Sequence, residues 1–402
     1  MLSTHSTASL AARLATQLRA RNGVMRAFFE AEAPRLARAS QEVAERFARG
    51  GRLYAFGNGP YATDAAHVSV EFIHPVIVGK RALPAMDASA APEAFVAALV
   101  RPDDMAIAFG PPEGDLRTIA ALRHARRRGA YTLAWPGIEA DYSVTSPTSD
   151  EHMHQEAFEV LGHTLYESVH VFLEHRRELG DDVGASAFLY PYLGAAQPDA
   201  GAIVDGVAAS IVEKARDGER LREQVAVEQS DGIAAAVVAI GERIARGGRL
   251  LIFGNGGSAT DATDFALDCV LDAPGMRAVP AISLAAEPAV LSAIANDVGA
   301  ELTFLRQLIA QSRPNDVPFA MSTSGGSKNV VAALEEARKR GLLTVALLGY
   351  DGGEITRRGL ADHAIVVRCD YIPRIQEAQA AIYHVMRRAL AELPVPLGKI
   401  PA

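Results

Sequence analysis

Arg46 to Ala65 reads RFARGGRLYAFGNGPYATDA, and 197 positions further on Arg243 to Ala262 reads RIARGGRLLIFGNGGSATDA. Chance does not produce a match of that length, so the chain is a tandem duplication, and whatever one half folds into the other must fold into as well. A second pair of landmarks supports this. RPDD at Arg101 with ARRRG at Ala125 is answered by RPND at Arg313 with ARKRG at Ala337, now 212 positions apart, so the first repeat is 15 residues shorter between the two landmarks. Within 402 residues this predicts two domains, 1–195 and 196–402, with the Gly-, Ala- and Pro-rich run from Gly180 to Gly201 as the boundary.

Arg249 to Phe253 has the length and flanks of a buried parallel strand, the glycine turn Gly254 to Ser258 follows it directly, and a helix starts after that. Such a junction presents backbone N–H groups and a positive helix end at the carboxyl edge of a sheet, where a phosphate or carboxylate would sit. In the first repeat the pattern predicts helices from Ser3 to Arg49 with a break at Asn22–Gly23. It then predicts strands at Leu53–Phe56, near Ala82–Ala85, at Met105–Phe109 and at Tyr131–Trp135, with helices between them and a long last helix from Glu151 to Leu179. In the second repeat it predicts helices from Ala202 to Ala245, strands at Ala278–Leu284, Val317–Met321, Thr344–Leu348 and His363–Arg368, and a last helix from Arg374 to Ala391. Apolar strands alternating with helices imply α/β architecture. Two tandem three-layer α/β/α domains are expected, each with a doubly wound parallel sheet of the flavodoxin-like kind and its site at the strand carboxyl ends.

The chain is 49% hydrophobic and 22% charged with a net charge of −8, so there is no basic surplus to suggest nucleic acid or a membrane as partner. Cys269 and Cys369 cannot form a disulfide framework or a thiolate metal site, and no apolar run approaches the ~20 residues of a membrane span, which points to a cytoplasmic protein. Met1 to Arg26 carries four arginines and no acid, like an organellar transit peptide, but Leu10, Leu14 and Leu18 recur at helical spacing and favour a packed first helix.

The turn Ser322, Thr323, Ser324, Gly325, Gly326, Ser327 follows a strand and precedes a helix. Hydroxyls and N–H groups so arranged can surround a phosphate without a cation, although a plain capped turn would look similar. The first repeat has Gly110, Pro111, Pro112, Glu113, Gly114 and Asp115 there, where prolines remove donors and acids repel an anion. The turn at Gly254 also spells GxGxxA, but no acid follows at the distance that dinucleotide binding requires. His67 and Glu71 stand four apart on one helix, and Gln155 and His163 eight apart on another. Two imidazoles, a carboxylate and an amide oxygen suit a divalent metal such as zinc or a proton-transfer pair, though each alone is an ordinary surface or core residue.

Taken together, GNGGSATDA, AIANDVG, MSTSGGSKN, DGG and RIQEAQAAIYH resemble the sugar isomerase (SIS) domain, most closely its sedoheptulose-7-phosphate (phosphoheptose) isomerase branch, over Ala202 to Leu390 and more weakly over Ser3 to Leu179. The resemblance implies a homotetrameric enzyme with interface sites, interconverting sedoheptulose 7-phosphate and D-glycero-D-manno-heptose 7-phosphate, often with Zn2+. The family's metal and acid–base set falls on His67, Glu71, Gln155 and His163 in the first repeat, all matching, and on Asp264, Asp268, Gln376 and His384 in the second, where the first pair is altered. Its sugar-phosphate contacts fall on Asn255, Gly256, Ser258, Asp297, Ser322, Thr323, Ser324, Ser327 and Gln376 of the second repeat and are mostly absent from the first.

Random decay would not sort residues by chemical role. The expectation is therefore one composite site between the repeats, in which Glu71 is the base, His163 its partner, and the second repeat holds the phosphate. The repeats would pack as a pseudo-dimer and two chains pair as a homodimer with four SIS domains. The competing expectation is a phosphosugar-binding or scaffold protein without catalysis, since SIS domains also serve in that way.

Overall fold

A computed structural model of the chain describes residues 4–76, 79–135, 137–177, 200–271 and 276–393. It divides into two compact units, one of residues 23–217 and the other of residues 1–22 with 218–402.

The 23–217 unit carries β1 (Leu53–Phe56), β2 (Ala85–Asp87), β3 (Met105–Phe109), β4 (Tyr131–Trp135) and β5 (Tyr142–Ser143) in the order β2-β1-β3-β4-β5, with every neighbouring pair parallel. Leu53 lies opposite both Ala85 and Met105, which fixes the register of β1 against the edge strand β2 and against β3. The alternation of side chains along β1 explains its wholly apolar sequence. Leu53 and Ala55 enter one core with Phe72, Leu161 and Leu165, while Tyr54 and Phe56 enter another with Val96 and Leu122, so both faces are covered. The helices are the C-terminal part of α1 (Thr4–Ala48), then α2 (Tyr61–Ile73), α3 (Pro92–Leu99), α4 (Leu116–Arg127), α5 (Glu151–Arg177) and the first part of α6 (Ala200–Glu228).

The other unit repeats the plan. After α7 (Ser230–Ala245) come β6 (Leu250–Phe253), α8 (Gly257–Val270), β7 (Ala281–Ser283), α9 (Pro288–Asp297), α10 (Thr303–Gln311), β8 (Val317–Ser322), α11 (Lys328–Lys339), β9 (Val345–Gly349), α12 (Gly353–Arg357), β10 (His363–Val367) and α13 (Ile372–Glu392). The sheet order β10-β9-β8-β6-β7, again all parallel, is the first sheet's order read from the other edge. Leu250 and Ile252 face one core and Leu251 and Phe253 the other, as in β1. The expected α/β architecture with two doubly wound parallel sheets is what the chain adopts.

Three details differ from the sequence reading. The break expected at Asn22–Gly23 is absent, because α1 runs without interruption from Thr4 to Ala48. Gly23 has open space around it, and a helical glycine costs only about 1 kcal/mol. The division between units nevertheless falls at this point. The second strand of the first repeat is Ala85–Asp87 rather than Ala82–Ala85, and the two-residue β5 was not expected. Most of the predicted boundary from Gly180 to Gly201 lies outside the described residues.

The compact units do not follow the repeats 1–195 and 196–402. Leu10, Leu14 and Leu18 of the first repeat are buried with Val237, Phe265 and Phe319 of the second. Conversely, Ile203, Val207, Ile211 and Ala215 pack with Met25, Phe29 and Leu36. Each repeat has given its leading helical segment to the other repeat's core.

Candidate functional site

In the 23–217 unit, α2 and α5 carry the four residues that spacing singled out. His67 and Glu71 lie one turn apart on α2, with His67 Nε2 at 3.9 Å from Glu71 Oε1. The His67 and His163 rings meet edge to face with centroids 5.2 Å apart. One donor atom from each of His67, Glu71 and His163 falls within 4.8 Å of the others, and all three residues are buried. Gln155, two turns before His163 on α5, donates from Nε2 to Asp64 Oδ2 at 3.1 Å, which orients its amide. The structure thus brings together His67, Glu71 and His163, and ties Gln155 to α2 through Asp64.

Glu71 has the electrostatics of a group poised to exchange a proton. Burial pushes its carboxyl up to about 7, the neighbouring Glu167 pushes in the same direction, and His67 only partly offsets them. Glu71 Oε2 accepts no hydrogen bond among the described residues. Glu167 is itself buried and paired with Lys214 of α6, so a cation from the segment contributed by the second repeat stands behind the cluster. Two other histidines on α5 are ordinary core residues. His154 bonds the Gly110 carbonyl at 2.9 Å, His170 bonds the carbonyls of Tyr166 and Arg81, and burial lowers both imidazoles below their usual range.

The two imidazoles and one carboxylate fit a divalent metal in donor type and mutual reach, and the second carboxylate–lysine pair fits the charged support that metal ligands commonly have. No ion is needed to explain the position of Asp64 or Gln155.

In the other unit the serine turn and the glycine turn are joined by side chains. Asn255 and Asn329 exchange amide hydrogen bonds of 2.9 and 2.8 Å, and Asn329 also donates to Thr303 Oγ1 at 3.1 Å. Asn329 and Thr303 were not among the residues the sequence suggested, since nothing in their spacing ties them to Asn255. Ser322 Oγ accepts from Gly325 N at 3.1 Å and Ser324 Oγ from Gly326 N at 3.2 Å, which leaves each hydroxyl proton free to be given to an anion. Ser327 is the N-cap of α11 with no side-chain capping bond.

The glycines at Gly352 and Gly353 press on this turn. A Cβ at Gly353 would lie 2.2 Å from the Ser324 carbonyl, and one at Gly325 would lie 2.2 Å from the Gly352 carbonyl. Gly256 heads α8 with φ 57°, and Gly254 is closely packed against Ser258 and Met321. Ser258 and Ser322 are buried, Thr323 is half-buried, and Asn255, Gly256 and Ser324 are exposed. Asp297, at the end of α9, is exposed and bonded to Asn296, and Gln376 is buried on α13.

The first repeat's equivalent turn is built against anions. Asp115 spends its carboxylate on Arg117 N and Thr118 Oγ1 to start α4, and Gly57 N is taken by Ser89, which is held by Asp87.

A SIS domain family profile matches residues 215–349. The phosphoheptose isomerase of Geotalea daltonii is 41% identical over 169 residues, which are 42% of this chain and 87% of that protein. That of Chlorobaculum parvum is 43% identical over 180 residues, 44% of this chain and 85% of its own length. Among solved structures, the C-terminal domain of glucosamine-fructose-6-phosphate aminotransferase from Francisella tularensis shares the fold, with a TM-score of 0.56 at 11% identity, covering 91% of this chain and 95% of that one.

Proposed function

Because the chain belongs to the phosphoheptose isomerase family of SIS-domain proteins, we propose that it is a phosphosugar isomerase interconverting sedoheptulose 7-phosphate and D-glycero-D-manno-heptose 7-phosphate. The observation that carries this reading is the buried His67, Glu71, His163 cluster, retained in the repeat that has lost the serine turn.

The reaction moves one proton between C1 and C2 of the open-chain sugar through an enediol. In the ketose-to-aldose direction, the Glu71 carboxylate takes a proton from C1 as the C2 carbonyl oxygen gains one. Return of the proton from Glu71 to C2, with loss of the O1 proton, completes the aldose. His163 serves the oxygens. A carboxyl that titrates near neutrality is suited to both taking and returning the proton. His67, Glu71, Gln155 and His163 would hold Zn2+ if it is the resident metal, and the ion would polarise the sugar carbonyl. Metal-bound Glu71 is a weaker base, so the two roles compete.

In this reading the phosphate is held by the second repeat, through Asn255, Gly256, Ser258, Ser322, Thr323, Ser324 and Ser327, with Asp297 and Gln376 toward the sugar. Support comes from the complementary losses of the two repeats and from the free hydroxyl protons of the serine turn. Two chains would pair to give four SIS domains. No helix among the described residues is long and apolar enough to cross a membrane, and both cysteines are free, in keeping with the cytosol.

Proton NMR of the purified chain with sedoheptulose 7-phosphate in deuterated water tests the activity. Aldose signals, with deuterium incorporated at C2, are expected. A ketose phosphate that binds but shows neither would leave a phosphosugar-binding scaffold instead.

A further inference from the structure

Both glycine turns carry an asparagine, Asn58 in the first repeat and Asn255 in the second, and only the second is held. Asn58 is exposed, and its side chain makes no hydrogen bond among the described residues. The residue matching Asn329 in the first repeat is Arg117, exposed on α4, whose guanidinium can donate but not accept. Thr303 opens α10, a helix that the first repeat lacks. There α3 alone stands between β2 and β3, whereas α9, a short 3-10 turn at Ala300–Leu302 and α10 stand between β7 and β8.

Every polar position of the Asn329 amide is spent. Its Oδ1 accepts from Asn255 Nδ2 at 2.9 Å and from the Val330 main-chain N at 3.0 Å, and its Nδ2 donates to Asn255 Oδ1 at 2.8 Å and to Thr303 Oγ1 at 3.1 Å. An amide offers two protons and two lone pairs, so none is left over. Nor can the group turn over. The Val330 N–H can meet only an acceptor, and the Thr303 hydroxyl gives its own proton to the Ala300 carbonyl at 3.0 Å, so toward Asn329 it can only accept. With Asn329 fixed at both ends, the Asn255 amide is fixed against it. One Nδ2 proton and one Oδ1 lone pair of Asn255 remain unspent, on an exposed side chain.

We propose that Asn329 and Thr303 are positioning residues for sugar-phosphate binding: without touching the ligand, they hold the Asn255 amide so that its remaining N–H donates to a phosphate oxygen. The proposal rests on the phosphosugar reading above, on its binding half and not on its chemistry. An amide ordered beforehand spares the ligand the cost of ordering it, so the clamp acts on affinity. Asn58 has the same amide without the two side chains that would orient it.

Calorimetric titration of the whole chain with sedoheptulose 7-phosphate tests this, with Asn329→Ala, Asn255→Ala and the double variant compared. Asn329→Ala is expected to weaken binding by about tenfold. The double variant should bind no more weakly than Asn255→Ala alone, because without the Asn255 amide Asn329 has nothing to orient. A merely structural role would give losses that add. Thr303→Val, which removes the hydroxyl, should weaken binding by about threefold, and Thr303→Ser should keep the wild-type affinity. Thr303→Val carries the test if Asn329→Ala does not fold. Wild-type affinity in Asn329→Ala, Asn255→Ala or Thr303→Val, or additive losses in the double variant, overturns the positioning role and leaves the phosphosugar reading in place. A wild-type chain that takes up no sedoheptulose 7-phosphate overturns both.

Discussion

A carboxyl withdrawn from water and set near a second carboxyl resists ionising, and Glu71 is in that position. The consequence for stability has a definite sign. In the metal-free chain its folded-state value of about 7 lies above the ordinary 4.5, so between those pH values the native state binds more protons than the unfolded state and stability falls as pH rises. The loss across that window should approach about 3 kcal/mol. Glu71→Gln should flatten it, as read from denaturant midpoints at about pH 5 and pH 8 with chelator present. The same substitution should lower turnover by about 100-fold or more while sugar phosphate still binds. A wild-type rate in that variant would remove Glu71 from the chemistry. At this scale the sequence was informative where helical spacing fixes neighbours. His67 and Glu71 are one turn apart and do meet, and Gln155 and His163 lie along one helix. The spacing was silent on Asp64, Glu167 and Lys214, since a contact between two helices depends on their packing and not on any interval along one of them.

Among the elements, the serine turn shows how a conformation is held from outside. Gly353 has φ +56° and leaves no room for a Cβ beside the Ser324 carbonyl, so Gly353→Ala must push the two turns apart or strain the backbone. The expected result is a destabilisation of about 1–3 kcal/mol and a marked loss of sugar-phosphate binding by calorimetry, with no change at the His67 cluster. The DGG motif was visible in the sequence, but its pressure on the serine turn was not, because the two glycine pairs are far apart in the chain. Helix α6 supplies a second case. Lys214 and Glu167 form a buried pair, and Lys214→Met, which removes this ion pair from the buried Glu167, should cost about 3–5 kcal/mol. Adding Glu167→Gln should return a substantial part of that loss, and additive effects in urea unfolding would show that the two charges do not depend on each other. No reading of 1–195 alone could have found Lys214, which lies past the end of the first repeat.

For the chain as a whole, duplication explains the two identical strand orders, and it also misleads, because a repeat in sequence is not here a unit of packing. The strand and glycine patterns located both sheets, since period-two burial and turn chemistry are local. The assignment of the leading helices is not local: Leu10, Leu14 and Leu18 would suit an apolar face of either core, and only the assembled chain shows that they join the second repeat's. This exchange predicts that the halves are interdependent. A chain cut to 1–195 lacks Ile203, Val207 and Ile211, which are buried in its own core. At roughly 1.5–3 kcal/mol for each large apolar side chain, the loss is comparable to the whole net stability of a domain of this size. Residues 196–402 alone lose Leu10, Leu14 and Leu18 in the same way. Expressed separately, the halves should lack a cooperative thermal transition; coexpressed, they should recover one by trading helices in solution. Two halves that each unfold cooperatively alone would mean that the exchanged segments are coverings the cores can do without. In that case Leu14→Asp should leave amide exchange in β6, β8 and β9 unchanged, whereas helix exchange requires it to accelerate there and not in β1 or β3.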